Sequence, residues 1–365
     1  MFFYCIIPLV ISLFLTLFIL PRLMLISREK ELFDIPDIRK VHEIPVPRLG
    51  GITFFPVVLV SALLTIIVGL RFLLESQVVH IYPDGIYMQF MYFVVGMICL
   101  YFVGIMDDLV GVRYQSKFLA EIVAASFLPM GGLWIKNLHG ILGIYELTPD
   151  VGMPLTIFIV IYVINAINLI DGIDGLASGL GIISFATLGA FAVMGRQNFI
   201  VVLTFAMIGV LLAFWYVNVF GKAEKGRKIF MGDTGAITLG YFLSFVGLYL
   251  SDIAGRENLP NGMLLICFST LIIPLFDIVR VMVIRLKNHR NPFLPDRNHI
   301  HHLLMRAGLD SHKVLGVLMC TSLLFIGVSV IGVFYKWNLT LVFLLNLLLW
   351  GVLNVGVMVL SKNRR

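Results

Sequence analysis

Apolar stretches of about twenty residues, each closed by a short polar segment, recur from one end of the chain to the other. About twenty consecutive apolar residues carry a helix across a bilayer. In hydrocarbon every backbone polar group must be satisfied within the protein, which a helix achieves alone. The pattern predicts eleven spans, at about 2–24, 51–70, 88–106, 118–133, 151–169, 174–194, 199–217, 234–251, 262–284, 314–334 and 339–360. The fourth is the shortest. The first ends at Pro21-Arg22; it lacks the basic leader and small-residue cleavage site of a secretory signal, so it reads as a span. A membrane barrel would show short alternating strands instead. The expected fold class is all-α, a polytopic integral membrane protein of about 11 transmembrane helices. No internal repeat divides residues 1–365, which read as a single domain.

Composition narrows the function classes. Of 365 residues, 59% are hydrophobic and 13% charged, against about 45–50% and about 25% in soluble domains. An ordinary cytosolic enzyme, a disordered chain and a secreted disulfide scaffold are excluded. Cys5, Cys99, Cys267 and Cys320 lie in apolar runs without a CxxC pair and read as buried packing residues. The net charge of +6 bears on orientation, and no nucleic-acid partner is expected. With the N-terminus outside, 22 of the 27 Lys and Arg fall in inside segments and 5 outside: Arg71, Lys136, Arg196, Arg256 and Lys336. Cytoplasmic loops carry such an excess. The basic C-terminus joins them only if the number of spans is odd. The N-terminus is therefore expected on the periplasmic side and the C-terminus in the cytoplasm.

The inside segments also hold the unusual chemistry. An acid near hydrocarbon costs roughly 2.5–3.5 kcal/mol at a helix centre, so acids at span ends need a reason. Asp107 and Asp108, in GIMDDLVG, end the third span at the negative pole of its dipole and repel each other. A cation or a shared proton would relieve them; a solvated helix end near Arg113 and Lys117 is the plainer account. Asn165, Asn168, Asp171 and Asp174 follow at intervals of three in NAINLIDGIDGLASG, a ridge of oxygens on one face if the helix continues. A reverse turn needs only one such residue beside a glycine. Asp233, in FMGDTG, is placed to cap the eighth span, and a helix start behind glycine also suits phosphate. The loop NHRNPFLPDRNHIHHLL brings Arg297, His299, His301 and His302 together; without HExxH it suits anion recognition better than zinc, with an amphipathic surface loop as the bland alternative. Before the second span, RKVHEIPVPRLGG adds Lys40 and Arg48. Oxygen ligands favour Mg²⁺ or Mn²⁺ over zinc, and Mg²⁺ usually links few carboxylates to substrate phosphates. A cytosolic diphosphate meeting a lipid at the membrane surface accounts for these groups together. Asp277, deeper in the ninth span, is within one turn of Arg280 and has no assigned role.

Taken in order, these motifs resemble the polyprenyl-phosphate N-acetylhexosamine-1-phosphate transferases, and within them the WecA/TagO-type enzymes that start O-antigen, common-antigen and teichoic-acid synthesis. RKVHxxPxPRLGG, the DD pair, NxxNxxDGxDGLA, GDTG and HIHH cover nearly the whole chain. PDRN before HIHH is similar to the N-acetylglucosamine branch rather than the muramyl-pentapeptide translocase branch, and Ala236 replaces a common Ser. The resemblance implies transfer of an N-acetylhexosamine-1-phosphate from a UDP-sugar to undecaprenyl phosphate, with release of UMP, in the bacterial inner membrane. It implies an active site on the cytoplasmic face, in loops at about 22–50, 107–117, 168–175, 218–235 and 285–313. Catalysis would fall to Asp107, Asp108, Asp171 and Asp174, with Asp107 and Asp108 at the lipid phosphate. Asp174 and Asp233 would hold Mg²⁺, or Mn²⁺ in its place. Asn168 and Asp171 would hold the nucleotide side, and Arg297, His299, His301 and His302 the sugar-phosphate. Lys40 or Arg48 would contact nucleotide or sugar. A homodimer is the family-level expectation. Two rivals fit less well: CDP-alcohol phosphotransferases share the DxxDG start at Asp171 but not the residues that follow, and an ion-coupled transporter would carry its acids nearer the midplane.

Overall fold

The computed structural model describes residues 1–30, 32, 45–72, 86–289 and 298–362. The elements run α1 (Phe2–Glu29), a 3₁₀ turn (Gly50–Thr53) leading into α2 (Phe54–Phe72), α3 (Ile86–Val110), α4 (Tyr114–Met130), β1 (Asn137–Ile141) and β2 (Ile144–Glu146). They continue as α5 (Pro149–Ile170), α6 (Leu176–Met194), α7 (Asn198–Phe220), α8 (Gly232–Asp252), α9 (Met263–Ser269), α10 (Ile272–Lys287), α11 (Ile300–Arg306), α12 (Ser311–Phe334) and α13 (Leu339–Lys362). Each predicted span coincides with helix. Among the described residues nine helices are long and apolar enough to cross a membrane, or ten if α9 and α10, bent by 65°, count as one. The remaining predicted span is α4, which at 17 residues is too short to qualify by itself. The expectation of about eleven is corrected to that extent. The polar Lys117 and Glu121 in its first two turns, and Gly131-Gly132 just past its end, keep α4 short.

The helix at the axis of the bundle is α8, buried along nearly its whole length. It is also the least apolar of the nine, because it packs against protein rather than lipid and uses small residues to do so. An added Cβ at Gly240 would lie 2.7 Å from the Ile164 Cα of α5, and one at Gly104 of α3 would lie 2.6 Å from the Thr234 Cα. Such contacts draw α3 and α5 against α8. Midway along, Phe93, Tyr241 and Phe245 stack, and the Tyr241 hydroxyl donates to the Ala124 carbonyl of α4 at 2.9 Å. The outward faces carry Phe14, Phe18, Phe102, Phe158 and Leu348, the surface a bilayer would cover. Of the four cysteines only Cys267 is buried and Cys320 is exposed, so the expectation of four packed thiols is corrected. On such a bundle an apolar position faces lipid as readily as core.

The turns at one end of the bundle bring α3, α4, α5 and α8 together; that end holds the acids. At the other end the sequence reading missed a hairpin, in which β1 and β2 pair antiparallel, Asn137 opposite Glu146 and Ile141 opposite Ile144. Gly140, Leu142 and Gly143 make the reversal with positive φ. Lys136 ties the hairpin to Asp252 at the end of α8, at 2.6 Å. The side chain of Thr340, at the start of α13, accepts from the Leu142 amide at 2.9 Å. Because Gly104 lies against backbone that cannot yield, Gly104→Leu should separate α3 from α8 and destabilise the fold by about 1–3 kcal/mol. Thermal unfolding in detergent checks this, with Gly316→Leu, where an added Cβ meets nothing within 4 Å, as the neutral control.

Candidate active site

The site is built on the first turn of α8. Gly232 has φ +70°, a conformation open mainly to glycine, and an added Cβ there would strike the Arg48 carbonyl and the Asp108 carboxylate. The cap of α8 is Met231 rather than the expected Asp233, which lies in the first turn. The capping oxygen comes instead from another helix. Asp108, at the end of α3, accepts from the Asp233 amide at 2.7 Å, the Thr234 amide at 3.0 Å and the Thr234 hydroxyl at 2.5 Å. A carboxylate is stabilised at the positive pole of a helix and destabilised at the negative one, and α3 ends where α8 begins. Asp107 turns the other way, accepting from the Val112 amide at 2.8 Å and from Lys117 at 2.9 Å. Lys117 also bridges to Asp233. The adjacent acids therefore have separate counter-charges.

Asn168 supplies a further donor to Asp233, at 2.6 Å. The helix stops two residues later, at Ile170, with Asp171 as its cap. The expected continuous ridge is thus broken: Asn165 and Asn168 ride on α5, whereas Asp171 and Asp174 lie on the turn into α6. Asn165 reaches Glu121 of α4 at 2.5 Å, an acid that is 2% exposed. The turn closes at Gly175, whose amide donates to Asn218 at 2.6 Å, and Asn218 donates in turn to the Ile229 carbonyl at 2.9 Å. Beside this clamp Lys228 pairs with Asp174 at 2.5 Å. Residues 47–51 lie along the same segment: Phe230 donates to Pro47 at 2.7 Å, Gly50 to Phe230 at 2.9 Å and Gly51 to Met231 at 2.8 Å. That pairing brings Arg48 within electrostatic reach of Asp171 and Asp233. Burial, and then the charges of Asp174, Asp233 and Asp108, push the Asp171 carboxyl up to about 7.

The histidines reach the same place from α10 and α11. Asp277, 1% exposed, accepts from Arg280 at 2.7 Å, from His299 Nδ1 at 2.8 Å and from the Ile300 amide at 2.9 Å. Arg280 also donates to the Asn298 carbonyl. Nδ1 is the ring nitrogen engaged by the carboxylate, and the contact fixes the orientation of the His299 ring. His301 is 1% exposed, packs its ring against Gly172 and, among the described residues, has a hydrogen-bond partner at neither ring nitrogen. Burial, followed by the fields of His302 and His299, lowers it to about 3, so its imidazole is neutral. Gly172 permits this approach, since a side chain would occupy the space of the ring. His302 lies 4.3 Å from His301, ring to ring. The structure thus gathers Asp107, Asp108, Asn168, Asp171, Asp174, Asp233, Arg48, His299, His301 and His302 at one end of the bundle. Lys40 and Arg297 lie outside the described residues.

Sequence reasoning gave Lys117 and Lys228 no role beyond charge, and missed Glu121 and Asn218. Each has a signal: Glu121 and Asn218 interrupt apolar runs, and Lys228 immediately precedes IFMGD. Among the described residues no three His, Cys, Asp or Glu side chains converge closely enough to hold a metal by themselves. The donors present are oxygens in mutual repulsion, which fits a hard cation sharing its coordination with substrate phosphate and water.

Residues 90–251 match the model of glycosyl transferase family 4. A protein of Yersinia pestis is 30% identical over 326 residues, 88% of this chain and 83% of its own length. One of Salmonella typhi is 32% identical over 329 residues, with the same coverage. One of Escherichia coli K12 is 31% identical over 334 residues, 89% and 84% of the two chains. All three are named undecaprenyl-phosphate alpha-N-acetylglucosaminyl 1-phosphate transferase.

Removing the cap from α8 should cost about 1–2 kcal/mol: Asp108→Ala should lower the thermal midpoint, and Asp108→Asn, which keeps one acceptor, should lower it less. A second expectation concerns pH. The folded Asp171 carboxyl keeps its proton up to about 7, whereas an unfolded one releases it near 3.8. The folded state then binds more protons between these values, so without divalent cations stability should fall as pH rises through that window. Melting curves at pH 4.5 and 7.5 should show this slope, flattened in Asp171→Asn.

Proposed function

The chain belongs to glycosyl transferase family 4, and from that premise we propose that it transfers N-acetylglucosamine-1-phosphate from UDP-N-acetylglucosamine to undecaprenyl phosphate, releasing UMP. The observation that carries this reading is the convergence of Asp171, Asp174 and Asp233 with the His299–His302 turn at one end of a membrane bundle. An oxygen of the lipid phosphate attacks the β-phosphorus. The bond from that phosphorus to the bridging oxygen breaks, and UMP leaves with that oxygen. Little covalent chemistry falls to the protein, whose work is positioning and charge neutralisation.

Asp174 and Asp233 are the residues that would hold a divalent cation, Mg²⁺ first. When bound, that ion supplies positive charge to the diphosphate. Asn168 and Lys117 both donate to Oδ1 of the Asp233 carboxylate and fix it in place. Asp108 acts through α8: with three donors from the first turn on its carboxylate, it sets where Asp233 stands, a positioning role in place of proton transfer at the lipid phosphate. The neutral His301 offers hydrogen bonds rather than charge, and His299, its ring oriented by Asp277, stands beside it for the sugar-phosphate. The family resemblance assigns Arg297 and Lys40, outside the described residues, further cationic contacts to the donor. The 22-to-5 distribution of Lys and Arg supports a cytoplasmic site in the bacterial inner membrane. There the water-soluble donor and the lipid acceptor meet.

Purified protein given UDP-N-acetylglucosamine, undecaprenyl phosphate and Mg²⁺ should release UMP, and EDTA should abolish the release. A panel of UDP-sugars decides the donor. Asp174→Asn and Asp233→Asn should each lower turnover by at least about 10³-fold while leaving an inserted, folded protein; near-normal rates in both would remove the metal assignment.

A further inference from the structure

Two lysines of the chain itself already pair with three acids of this site. Lys117 lies between Asp107 and Asp233, and Lys228 lies on Asp174. The two arrangements differ. Lys117 is held by two carboxylates and stands on a helix. The side chain of Lys228 is 11% exposed, has its ammonium on Asp174 and extends from the irregular segment before α8.

We propose that Lys228 is a placeholder cation. It neutralises Asp174 until a divalent ion and the nucleotide sugar arrive, cedes the carboxylate to that ion, and turns its ammonium onto the diphosphate. The proposal rests on the function assigned above. Three observations carry it. The Asp174 carboxylate, 17% exposed, stands in the field of Asp171, and a withdrawn carboxylate needs a counter-charge whatever the ligand state. An ammonium 2.5 Å from one of its oxygens repels a metal ion approaching the same carboxylate, so the two cations compete for it.

The pair is also redundant as a structural tie. Asn218 already joins Gly175 to Ile229, and Phe230 is fixed to Pro47 and Gly50 through its backbone. The ammonium can leave Asp174 without releasing either segment, on a stem of four flexible methylenes. Three residues separate its backbone from Gly232-Asp233 at the start of α8, so the swing ends in the region where the diphosphate must lie.

The test uses full-length protein in detergent. Lys228→Met keeps the stem and removes the charge; Lys228→Arg keeps the charge. Mn²⁺ binding is followed by electron paramagnetic resonance of the free ion without nucleotide, and UDP-N-acetylglucosamine binding by calorimetry at saturating Mn²⁺. Lys228→Met should bind Mn²⁺ roughly tenfold more tightly than the unaltered chain and the nucleotide sugar roughly tenfold more weakly, the latter being the loss of one charge-assisted contact. Lys228→Arg should keep Mn²⁺ affinity near that of the unaltered chain. A merely structural lysine would move neither affinity in opposite directions. Should the Met variant fail to fold, acetylation of Lys228 in the unaltered chain gives the same answer. Mn²⁺ alone should increase its labelling, and added nucleotide sugar should reverse the increase. Unchanged or weakened Mn²⁺ binding in the Met variant, or labelling that falls with Mn²⁺ alone, overturns the proposal. If the unaltered chain still binds both ligands, the assigned function survives that result; if it binds neither, both fall.

Discussion

A carboxylate of one helix capping the start of another is the contact on which this site depends. Asp108 ends α3, where the helix dipole disfavours it, and meets the first amides of α8, where the dipole favours it. The same contact seats Asp233 one residue inside α8, within reach of Lys117 from α4 and Asn168 from α5. Three of the helices that pack around α8 thus send a side chain to its first turn. Gly104 and Gly240 allow α3 and α5 to come close enough for this. The small residues of the core and the polar residues of the site are two parts of one packing solution.

The second half of the site is organised by a different acid. Asp277 is buried with Arg280 and His299, and its remaining acceptor capacity takes the Ile300 amide. A buried charge is tolerated when it is paired and its lone pairs are filled. The result is a rigid base for a short helix that would be marginal alone. That base holds the buried imidazole of His301 against the Asp171–Asp174 turn.

Much of the fold was legible because lipid imposes a simple rule on sequence. Every predicted span coincides with helix, and only the short α4 and the 65° break before α10 complicate the count. The hairpin at 137–146 was missed because two short exposed strands leave no alternating signature. Among the site residues, Asp107, Asp108, Asp171, Asp174 and Asp233 stood out because acids at span ends are costly. What stayed hidden was their pairing. Period-three spacing would make a ridge only on a continuous helix, and the chain breaks at Asp171, in the interval between the fifth and sixth predicted spans. Likewise Asp233 sits where a cap could be, but the cap comes from a residue far away in sequence. Local rules identify the groups; only tertiary packing decides which group answers which.

The order in which the parts occur along the chain has a consequence for biosynthesis. A nascent chain that has inserted only through α8 already contains every acid around the first turn of that helix, but neither Asp277 nor the histidines. Lys117 and Lys228 are present by then, so the half-built site carries its own counter-ions into the membrane. Maturation then consists of docking one late segment onto a surface where three of the acids are already paired, rather than of assembling bare charges in a lipid environment.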